Sequence, residues 1–268
     1  MSRTRFAALC ALLLSLGAPV AATAKPTITM SGSTSIYPLA SALAHGYVSA
    51  YKNAASFKIL QGGSDVGIND VAHGRVSVGN ASRDPEGGDP KGLVFNKIAR
   101  DGVCLITNAS NPVANLSQEQ VQDIFAGRTR DWNDVPGAKV DGPIKLVSRT
   151  ASSGTADAFK NIFMGPDLNV SGSAATKKSN GLVQQSVRSS KTSIGYVSFD
   201  FTSGVHPTAY KGVPCTLRNA KSGQYPGVRN FWMVTRGAAT GAVAKFLKWV
   251  RTSGAAKTIV GSHWVPLH

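Results

Sequence analysis

The sequence predicts an α/β fold with mostly parallel strands, and three observations support this fold class. Short apolar runs typical of strands alternate with amphipathic stretches typical of helices along most of the chain. Turns rich in Ser, Thr and Gly stand where a strand-like run gives way to a helix, as at residues 31–35 and 150–155. The chain has 268 residues, which is enough for one large domain or two small ones with a sizeable core.

The N-terminal segment has the pattern of a secretory signal peptide and is set apart from the fold. Arg3 and Arg5 precede an apolar stretch at residues 6–16, and an Ala-Thr-Ala cleavage sequence ends at Ala24. The apolar stretch is too short to span a bilayer. The sequence around Cys10 fits a lipoprotein cleavage box poorly. We therefore expect an exported protein without a lipid anchor, cleaved near residue 24.

The first part of the mature chain predicts strands and helices in alternation. Apolar runs predict three strands, at residues 27–30, 57–60 and 75–78. Helical patterns follow the first two of them, at residues 36–51 and 66–72. Two further apolar runs, at residues 93–99 and 103–107, are joined by Arg-Asp-Gly and predict a hairpin-like pair.

The second part continues the alternation. Ser117 and Gln120 form a capping box that begins a helix reaching Phe125, and Gly127 is expected to end it. Further strands are predicted at residues 144–147, 194–197 and 231–235. Further helices are predicted at residues 155–164, 182–188 and around 243–250. Residues 203–224 are expected to form a loop.

One turn between a predicted strand and a predicted helix has the composition of an anion-binding site. Its polar and small residues are Arg149, Ser152, Ser153, Gly154 and Thr155. The first N–H groups of a helix lack intrahelical partners, and the helix dipole adds positive potential there. An ordinary capping role for the same residues is an equally open alternative.

Three further turns carry similar residues. Each follows a predicted strand and offers hydroxyl groups, and their residues are Ser33, Thr34 and Ser35, then Ser64, then Ser82 with Arg83 and Asp84. Taken singly, the first two turns are better explained as a helix cap and a plain loop. Taken together, the four turns predict a clamp for a small oxyanion. Arg83 is expected either to contact the anion or to pair with Asp84.

Composition narrows the class of partner. The formal net charge is +15, but the basic residues are dispersed and match no nucleic-acid-binding motif. The charge fits an exported protein that needs solubility or contacts an anionic envelope, and it also attracts anions to a cleft. Cys104 and Cys215 either pair in an oxidising compartment or stay free. The five histidines have no metal-ligand spacing, so no metal and no cofactor are predicted.

Several motifs occur in order over essentially the whole mature chain. They are Gly32-Ser-Thr-Ser35, Gly62-Gly-Ser64, Val78-Gly-Asn-Ala-Ser82-Arg83, the stretch 118–127 with Trp132, Arg149 with Ser153-Gly-Thr155, residues 193–197, and Tyr225-Pro226. The Ile-Phe-x-Gly…Trp and Arg…Ser-Gly-Thr segments are the specific ones. By these motifs the chain resembles the periplasmic phosphate-binding proteins of ABC phosphate uptake systems, which belong to the type II periplasmic binding protein superfamily.

This resemblance implies a two-lobe α/β fold with a ligand cleft between the lobes. Phosphate would be held by backbone N–H groups, by hydroxyl groups and by one arginine. By motif position, the implied ligand residues are Ser33, Thr34, Ser35, Ser64, Ser82, Arg149, Ser153, Gly154 and Thr155. The implied protein is a periplasmic monomer that hands phosphate to the membrane permease of an ABC transporter, and not an enzyme.

The expected lobes are discontinuous in sequence. Residues 25–106 and 233–268 would form the first lobe, and residues 107–232 would form the second. The chain would cross between them near residues 103–107 and 231–235. Closure of two lobes about such a hinge is a common response to a ligand.

One departure from the family leaves the choice of anion open. Many members carry an aspartate that accepts a hydrogen bond from protonated phosphate, and the corresponding position after the third strand is Ser82. An acceptor-only carboxylate rejects sulfate, which has no proton to donate. Here Asp65, Asp84 or a hydroxyl is left as the source of an acceptor. A binding protein for sulfate or another oxyanion therefore stays an alternative, as does an exported envelope protein without transport.

An enzymatic function is the weakest alternative. Ser49 and Lys52 match the S-x-x-K pattern of penicillin-interacting enzymes, but they lie late in the first helix and no S-D-N motif occurs. No His or Asp base accompanies the clamp hydroxyls in the sequence, which argues against a serine phosphatase.

Overall fold

The computed structural model describes residues 25–267, which form two lobes, each a β-sheet with helices packed on it. The predicted signal peptide, residues 1–24, lies outside the described residues. Within the part of the chain that the structure describes, none of the helices combines the length and the hydropathy that a bilayer crossing requires.

The first lobe begins with three parallel strands in the sheet order β2-β1-β3. These strands are β1 (Thr27–Gly32), β2 (Ser56–Ile59) and β3 (Val78–Ala81), connected by helices α1 (Tyr37–Ala50) and α2 (Ser64–Ala72). The prediction of alternating strands and helices is confirmed here, although β3 begins only where the predicted third strand ends.

Two long antiparallel strands follow, and they correct the predicted hairpin. β4 is one continuous strand, Leu93–Thr107, and it pairs with β10 (Val228–Arg236). The Arg-Asp-Gly sequence does not turn, because Asp101 is completely buried and pairs with Arg229 of β10 at 2.8 Å. Gly102 leaves room for the ring of Phe199, with which a Cβ atom would collide.

The second lobe is built on the C-terminal half of β4. Its other strands are β5 (Asn115–Leu116), β6 (Lys145–Arg149), β7 (Ala175–Lys177), β8 (Ser193–Ser198) and β9 (His206–Tyr210). β8 and β9 pair with β4, and the sheet continues from β8 through β6 to β7. The pairs that β4 and β10 make are antiparallel and the remaining pairs are parallel, so the sheet is more mixed than predicted.

Four helices cover the second lobe. They are α3 (Gln118–Phe125), α4 (Gly154–Phe159), α5 (Asn180–Arg188) and α6 (Leu217–Lys221). The capping box that begins α3 is confirmed, with both of its hydrogen bonds present. The predicted helix at 155–164 is α-helical only at its start, and a π-helical turn, Lys160–Met164, completes it.

The predicted loop at residues 203–224 is wrong, because it contains β9 and α6. β9 reads His-Pro-Thr-Ala-Tyr and lacks a strong apolar run, and it is a strand because it pairs with β4 and β5. At the C-terminus, α7 (Gly241–Thr252) is confirmed, and α8 (Gly254–His263) follows it without having been predicted.

Each lobe has its own core. The first-lobe core packs α1 against α7 and α8, and in it Tyr47 makes edge-on aromatic contacts with Phe246 and Trp249. The second-lobe core stacks the ring of Phe159 on that of Tyr196, with their centroids 3.9 Å apart. In this core Cys104 and Cys215 form a disulfide bond, which decides the question that their sequence spacing left open.

The chain passes between the lobes at two neighbouring points. β4 leaves the first-lobe sheet after Gly102, its last residue paired with β10, and pairs with β8 from Val103 onward. The return passage ends at Val228, where β10 begins. The boundaries expected at 106/107 and 232/233 lie inside these two strands.

Candidate functional site

The turn with the most specific motif lies between β6 and α4 in the second lobe. Arg149 is the last residue of β6, and Ser153 caps α4 by accepting hydrogen bonds from the N–H groups of Thr155 and Ala156. The capping role that the sequence left open for this turn is therefore real at Ser153. Gly154 faces the first lobe so closely that a Cβ atom would lie 2.9 Å from the carbonyl carbon of Ser82.

The three turns of the first lobe meet at the opposite wall of the cleft. Ser33 follows β1, and its Oγ donates to Ser82 Oγ at 2.8 Å. Ser64 begins α2, and its Oγ accepts from the N–H of Ser82 at 3.0 Å. All three hydroxyl side chains are buried. The β1, β2 and β3 turns come together because parallel strands place their carboxyl ends at one edge of the sheet.

Contacts across the cleft join the two walls. Arg149 Nη2 donates to Thr34 Oγ1 at 3.2 Å, and Ser35 Oγ lies 3.0 Å from Thr155 Oγ1. The backbone N–H of Asp65 donates to the carbonyl of Ser152 at 3.2 Å. The structure thus brings residues from four separate turns together in one buried cluster, namely Ser33, Thr34, Ser35, Ser64, Ser82, Arg149 and Thr155.

Arg149 is buried but has no carboxylate partner among the described residues. Only 4% of its surface is exposed. Its Nε donates to the carbonyl of Lys177 and its Nη2 to that of Lys178, both at 3.2 Å. Its Nη1 is buried, and no described residue accepts a hydrogen bond from it. Burial lowers the pKa of the guanidinium to about 10, which leaves it cationic at neutral pH.

A second buried arginine lies beside the first and was missed in the sequence. Arg229 is on β10, opposite Asp101 of β4, and its Nη2 and Nε donate to Asp101 Oδ2 at 2.8 and 3.1 Å. Burial lowers the pKa of Arg229 and raises that of Asp101, and their ion pair opposes both changes. The remaining donors of Arg229 reach the clamp hydroxyls, with Nη2 2.7 Å from Ser35 Oγ and Nη1 2.9 Å from Thr155 Oγ1.

Two more residues of the cluster were missed. Asn180 begins α5, and its Nδ2 donates to Thr34 Oγ1 at 3.0 Å and to Ser35 Oγ at 2.8 Å. Ser198 ends β8, and its Oγ donates to both carboxylate oxygens of Asp101 at 2.9 Å. For Asn180, the available signal in the sequence was a polar residue directly after the cap Ser179. For the charged residues of the cluster, it was a single charge within an apolar stretch. Neither is specific without the pairing of β4 with β10.

Arg83 and Asp84 do not form the expected ion pair. Arg83 turns away from the clamp hydroxyls and pairs with Asp89 at 2.6 Å and with Asp65 at 3.0 Å. Although burial alone would lower the pKa of Arg83, the bonds to Asp89 and Asp65 raise it. The carboxylate of Asp84 instead accepts from Asn230 Nδ2 at 2.7 Å. Both aspartates named as possible acceptors for the anion are therefore engaged elsewhere.

The arrangement is suited to holding an anion and not to nucleophilic chemistry. A buried cation without a carboxylate partner and a set of convergent hydroxyl groups stabilise negative charge. Among residues 25–267, the clamp hydroxyls bond to one another, to backbone N–H groups, to Asn180 and to the arginines, and no histidine bonds to them.

Comparisons with known proteins agree with this geometry. Residues 17–253 match the family model of the PBP superfamily domain. The phosphate-binding protein PstS of Bacillus subtilis is 29% identical over 242 residues, covering 88% of this chain and 79% of that protein. Among solved structures, a protein from Clostridium perfringens described as a phosphate ABC transporter substrate-binding protein, with bound phosphate, is 31% identical. It superposes with a TM-score of 0.85, covering 90% of this chain and all of its own.

A second structure extends the comparison. An ABC-type phosphate transport receptor from Vibrio cholerae is 26% identical and superposes with a TM-score of 0.70, over 90% of this chain and 100% of its own. The chain therefore belongs to the PBP superfamily and has the two-lobe, type II periplasmic binding protein fold that its motifs implied.

Proposed function

We propose that this protein captures inorganic phosphate and delivers it to the membrane permease of an ABC transporter. The observation that carries the proposal is the buried Nη1 of Arg149, which has no partner among the described residues. An unpaired buried guanidinium is unfavourable unless a ligand supplies negative charge, and Arg binds phosphate oxygens well. The Bacillus subtilis relative is named a phosphate-binding protein, and the Clostridium perfringens structure is described as a phosphate ABC transporter substrate-binding protein with bound phosphate, which supports the same ligand for this chain.

The hydroxyl groups around Arg149 would complete the coordination. The proposed phosphate ligands are Ser33, Thr34, Ser35, Ser64, Ser82, Arg149, Ser153, Gly154 and Thr155. They come from both walls of the cleft, the first five from turns of the first lobe and the last four from the turn between β6 and α4. Binding, with no chemical conversion of the ligand, is the role that this set of groups fits.

Opening and closing of the lobes would admit and hold the ligand. From the sequence we expect lobes of residues 25–106 with 233–268, and of residues 107–232. We propose boundaries a few residues earlier, between Gly102 and Val103 and just before Val228, and this passage is the natural place for the hinge. Bending at two neighbouring strand segments leaves both cores intact while it separates Thr34 from Arg149. We expect a monomer exported to the periplasm, where phosphate reaches it before the permease does.

The decisive experiment is calorimetric titration of the oxyanion-free protein with phosphate. We expect binding in the micromolar range or tighter for the wild type, and a loss of at least about a hundredfold in Arg149→Met, because one charge-assisted pair is removed. Arg218→Met is the matched control, since Arg218 is exposed on α6 and its loss changes the net charge equally. Equal affinity in wild type and Arg149→Met would reject the site.

The titration also separates the alternatives. If phosphate and sulfate both fail to bind the folded protein, the cleft is not an oxyanion site, and an envelope role without transport becomes the better explanation. If sulfate binds and phosphate does not, the transported anion is sulfate.

A further inference from the structure

The hydrogen-bond directions inside the cluster determine which kind of oxyanion it accepts. A serine or threonine hydroxyl has one proton to donate and two lone pairs that accept. When two neighbouring groups donate to the same hydroxyl oxygen, its acceptor capacity is used, and its proton is left for another partner. Guanidinium groups donate only, so the hydroxyls next to Arg149 and Arg229 must accept from them.

Thr34 and Ser35 are both saturated as acceptors. Thr34 Oγ1 accepts from Arg149 Nη2 at 3.2 Å and from Asn180 Nδ2 at 3.0 Å. Ser35 Oγ accepts from Arg229 Nη2 at 2.7 Å and from Asn180 Nδ2 at 2.8 Å. The single proton of Ser35 therefore goes to Thr155 Oγ1, 3.0 Å away, and the proton of Thr34 is left for a ligand.

The same reasoning applies at Thr155 and Ser82. Thr155 Oγ1 accepts from Arg229 Nη1 at 2.9 Å and from Ser35, so its own proton is left over. Ser82 Oγ accepts from Ser33 Oγ at 2.8 Å and from Arg229 Nη1 at 3.3 Å. Ser64 Oγ accepts from the N–H of Ser82, and its 3.3 Å contact with Ser82 Oγ uses the proton of one of these two hydroxyls and leaves the proton of the other. Each chain of hydroxyls thus ends in a proton and not in a lone pair.

Two anchors fix this polarity. Asp101 holds Arg229 in place and is itself bonded by Ser198. The amide of Asn180 cannot turn over without loss, because its Oδ1 accepts from the backbone N–H of Ser198 at 3.2 Å. Asn180 therefore presents Nδ2, and not its oxygen, to Thr34 and Ser35.

From this polarity we propose that the cleft presents only hydrogen-bond donors to its ligand. It therefore binds tetrahedral dianions through oxygen atoms that carry no proton, and it accepts sulfate together with phosphate. The proposal rests on the proposed function, which locates the anion at Arg149. A phosphate dianion must direct its one P–OH group away from these donors. Singly charged phosphate has two such groups and less charge, whereas sulfate has no proton to place.

Acceptor atoms near the cleft that have no hydrogen-bond partner among the described residues are the groups that would reverse this selectivity. Asn80 Oδ1, on β3 two residues before Ser82, is buried and has no partner among the described residues. Asp157 Oδ2 is also without a hydrogen-bond partner among the described residues, but it lies 3.7 Å from Arg83 Nε, which neutralises part of its charge. If either atom faced the bound anion, phosphate would be favoured over sulfate.

The test is calorimetric titration of the oxyanion-free protein with phosphate and with sulfate, at about pH 5 and about pH 8. We expect the two dissociation constants to agree within about tenfold at the higher pH. At the lower pH phosphate should weaken by at least about tenfold relative to sulfate. Sulfate carries the same charge at both values, so it also controls for protein groups that titrate between them, such as Asp157.

The results separate this proposal from the proposed function. Tight phosphate binding with sulfate silent would overturn the donor-only site while leaving phosphate capture intact, and Asn80 would be the acceptor to substitute next. Binding of neither anion would overturn both proposals together.

A variant tests the polarity directly. In Asn180→Asp a carboxylate would accept the protons of Thr34 and Ser35, which removes the first from the ligand and the second from Thr155. We expect both anions to lose at least about a hundredfold in affinity while the melting temperature of the ligand-free protein stays within a few degrees. Asn115→Asp, at an exposed position of β5, makes the same change of charge as a control. Wild-type affinity in Asn180→Asp would show that Asn180 does not set the direction of these bonds.

Discussion

Arg149 and Arg229 lie in the same cluster and are buried to a similar degree, but their partners differ. Arg229 has a carboxylate, since Asp101 pairs with it from the neighbouring strand at 2.8 Å. Arg149 has only carbonyl and hydroxyl oxygens, and one of its N–H groups has no partner among the described residues. One arginine is electrically compensated by the protein, and the other is not.

The difference indicates separate roles for two residues of the same type. A buried ion pair holds its partners in fixed positions, and removing one member leaves an uncompensated charge. A buried cation without a counter-ion raises the free energy of the ligand-free protein. Binding of an anion compensates the charge and lowers this free energy again. Arg229 is thus part of the framework that orients hydroxyl groups, whereas Arg149 is the charge that a ligand neutralises.

The largest effect is expected from removing the compensated arginine. Arg229→Met should lower the free energy of unfolding by about 3–5 kcal/mol, because Asp101 stays buried without its partner. Urea unfolding of the ligand-free protein measures this loss. The double variant Asp101→Leu/Arg229→Met should recover part of it, since no charge is then left buried. A single variant as stable as the wild type would mean that Arg229 is not held by Asp101 as the structure has it.

A somewhat smaller loss of stability is expected when only the negative charge of Asp101, which compensates Arg229, is removed. Asp101→Asn keeps the shape of the side chain but leaves Arg229 in the position of Arg149, cationic and unpaired. We expect roughly 2–3 kcal/mol of destabilisation without ligand, in the range for lost hydrogen bonds to charged groups. Phosphate should then raise the melting temperature more than it does in the wild type. An unchanged phosphate response would contradict the idea that these charges share one anion.

Removing the uncompensated arginine should change the free energy of unfolding in the opposite direction. Arg149→Met should leave the ligand-free protein as stable as the wild type, or more stable by about 1–2 kcal/mol, because a desolvated charge is replaced by an apolar side chain. Phosphate should no longer raise the melting temperature of this variant. Thermal unfolding with and without phosphate measures both effects. A loss of stability like that of Arg229→Met would erase the distinction between the two arginines.

The smallest effect concerns a charge at the edge of the cluster. Burial, with Asp65 and Glu86 nearby, raises the pKa of Asp157 from 3.8 to about 6. The unfolded chain ionises first as the pH rises, so wild-type stability should fall between about pH 4 and pH 6 through this group. The Asp157→Asn variant has no carboxylate to ionise at this position, so it does not lose this stability. Its melting temperature should exceed that of the wild type by about 2–4 °C above pH 6, and by less than that near pH 4.

The matching control for that prediction is internal. Burial, with Asp101 nearby, also raises the pKa of Asp200 to about 6, but Asp200 titrates in both proteins and cancels from the difference. A constant difference between Asp157→Asn and wild type across this pH range would show that Asp157 is not raised.

Local signals explain which elements were predictable. The capping box of Ser117 and Gln120 needs only four consecutive residues, and its helix begins where predicted. The strands of the first lobe end in glycine- and serine-rich turns, and these turns were found correctly. In contrast, β9 is a strand because β4 and β5 pair with it, and its own composition gave no such signal.

The residues of the site divide in the same way, into those that local sequence indicates and those that strand pairing brings in. Ser33, Ser64, Ser82 and Arg149 were selected because each lies at the end of a strand-like run or in the turn after it, and parallel strands bring such turns together. Arg229 was missed because the sequence around it predicts a strand only from residue 231 onward. Asp101 was missed because Arg-Asp-Gly has the composition of a turn, and only the antiparallel register with β10 keeps it extended.

The sequence by itself determined the fold class, the four polar turns and the family, because periodicity, caps and ordered motifs are properties of short stretches of chain. The tertiary structure decided that Cys104 meets Cys215, that Arg83 leaves the clamp for Asp89, and that Arg229 has a carboxylate partner while Arg149 has none among residues 25–267. These outcomes depend on which distant groups share a buried volume, where the interaction of charges is strong and every unpaired donor has a cost.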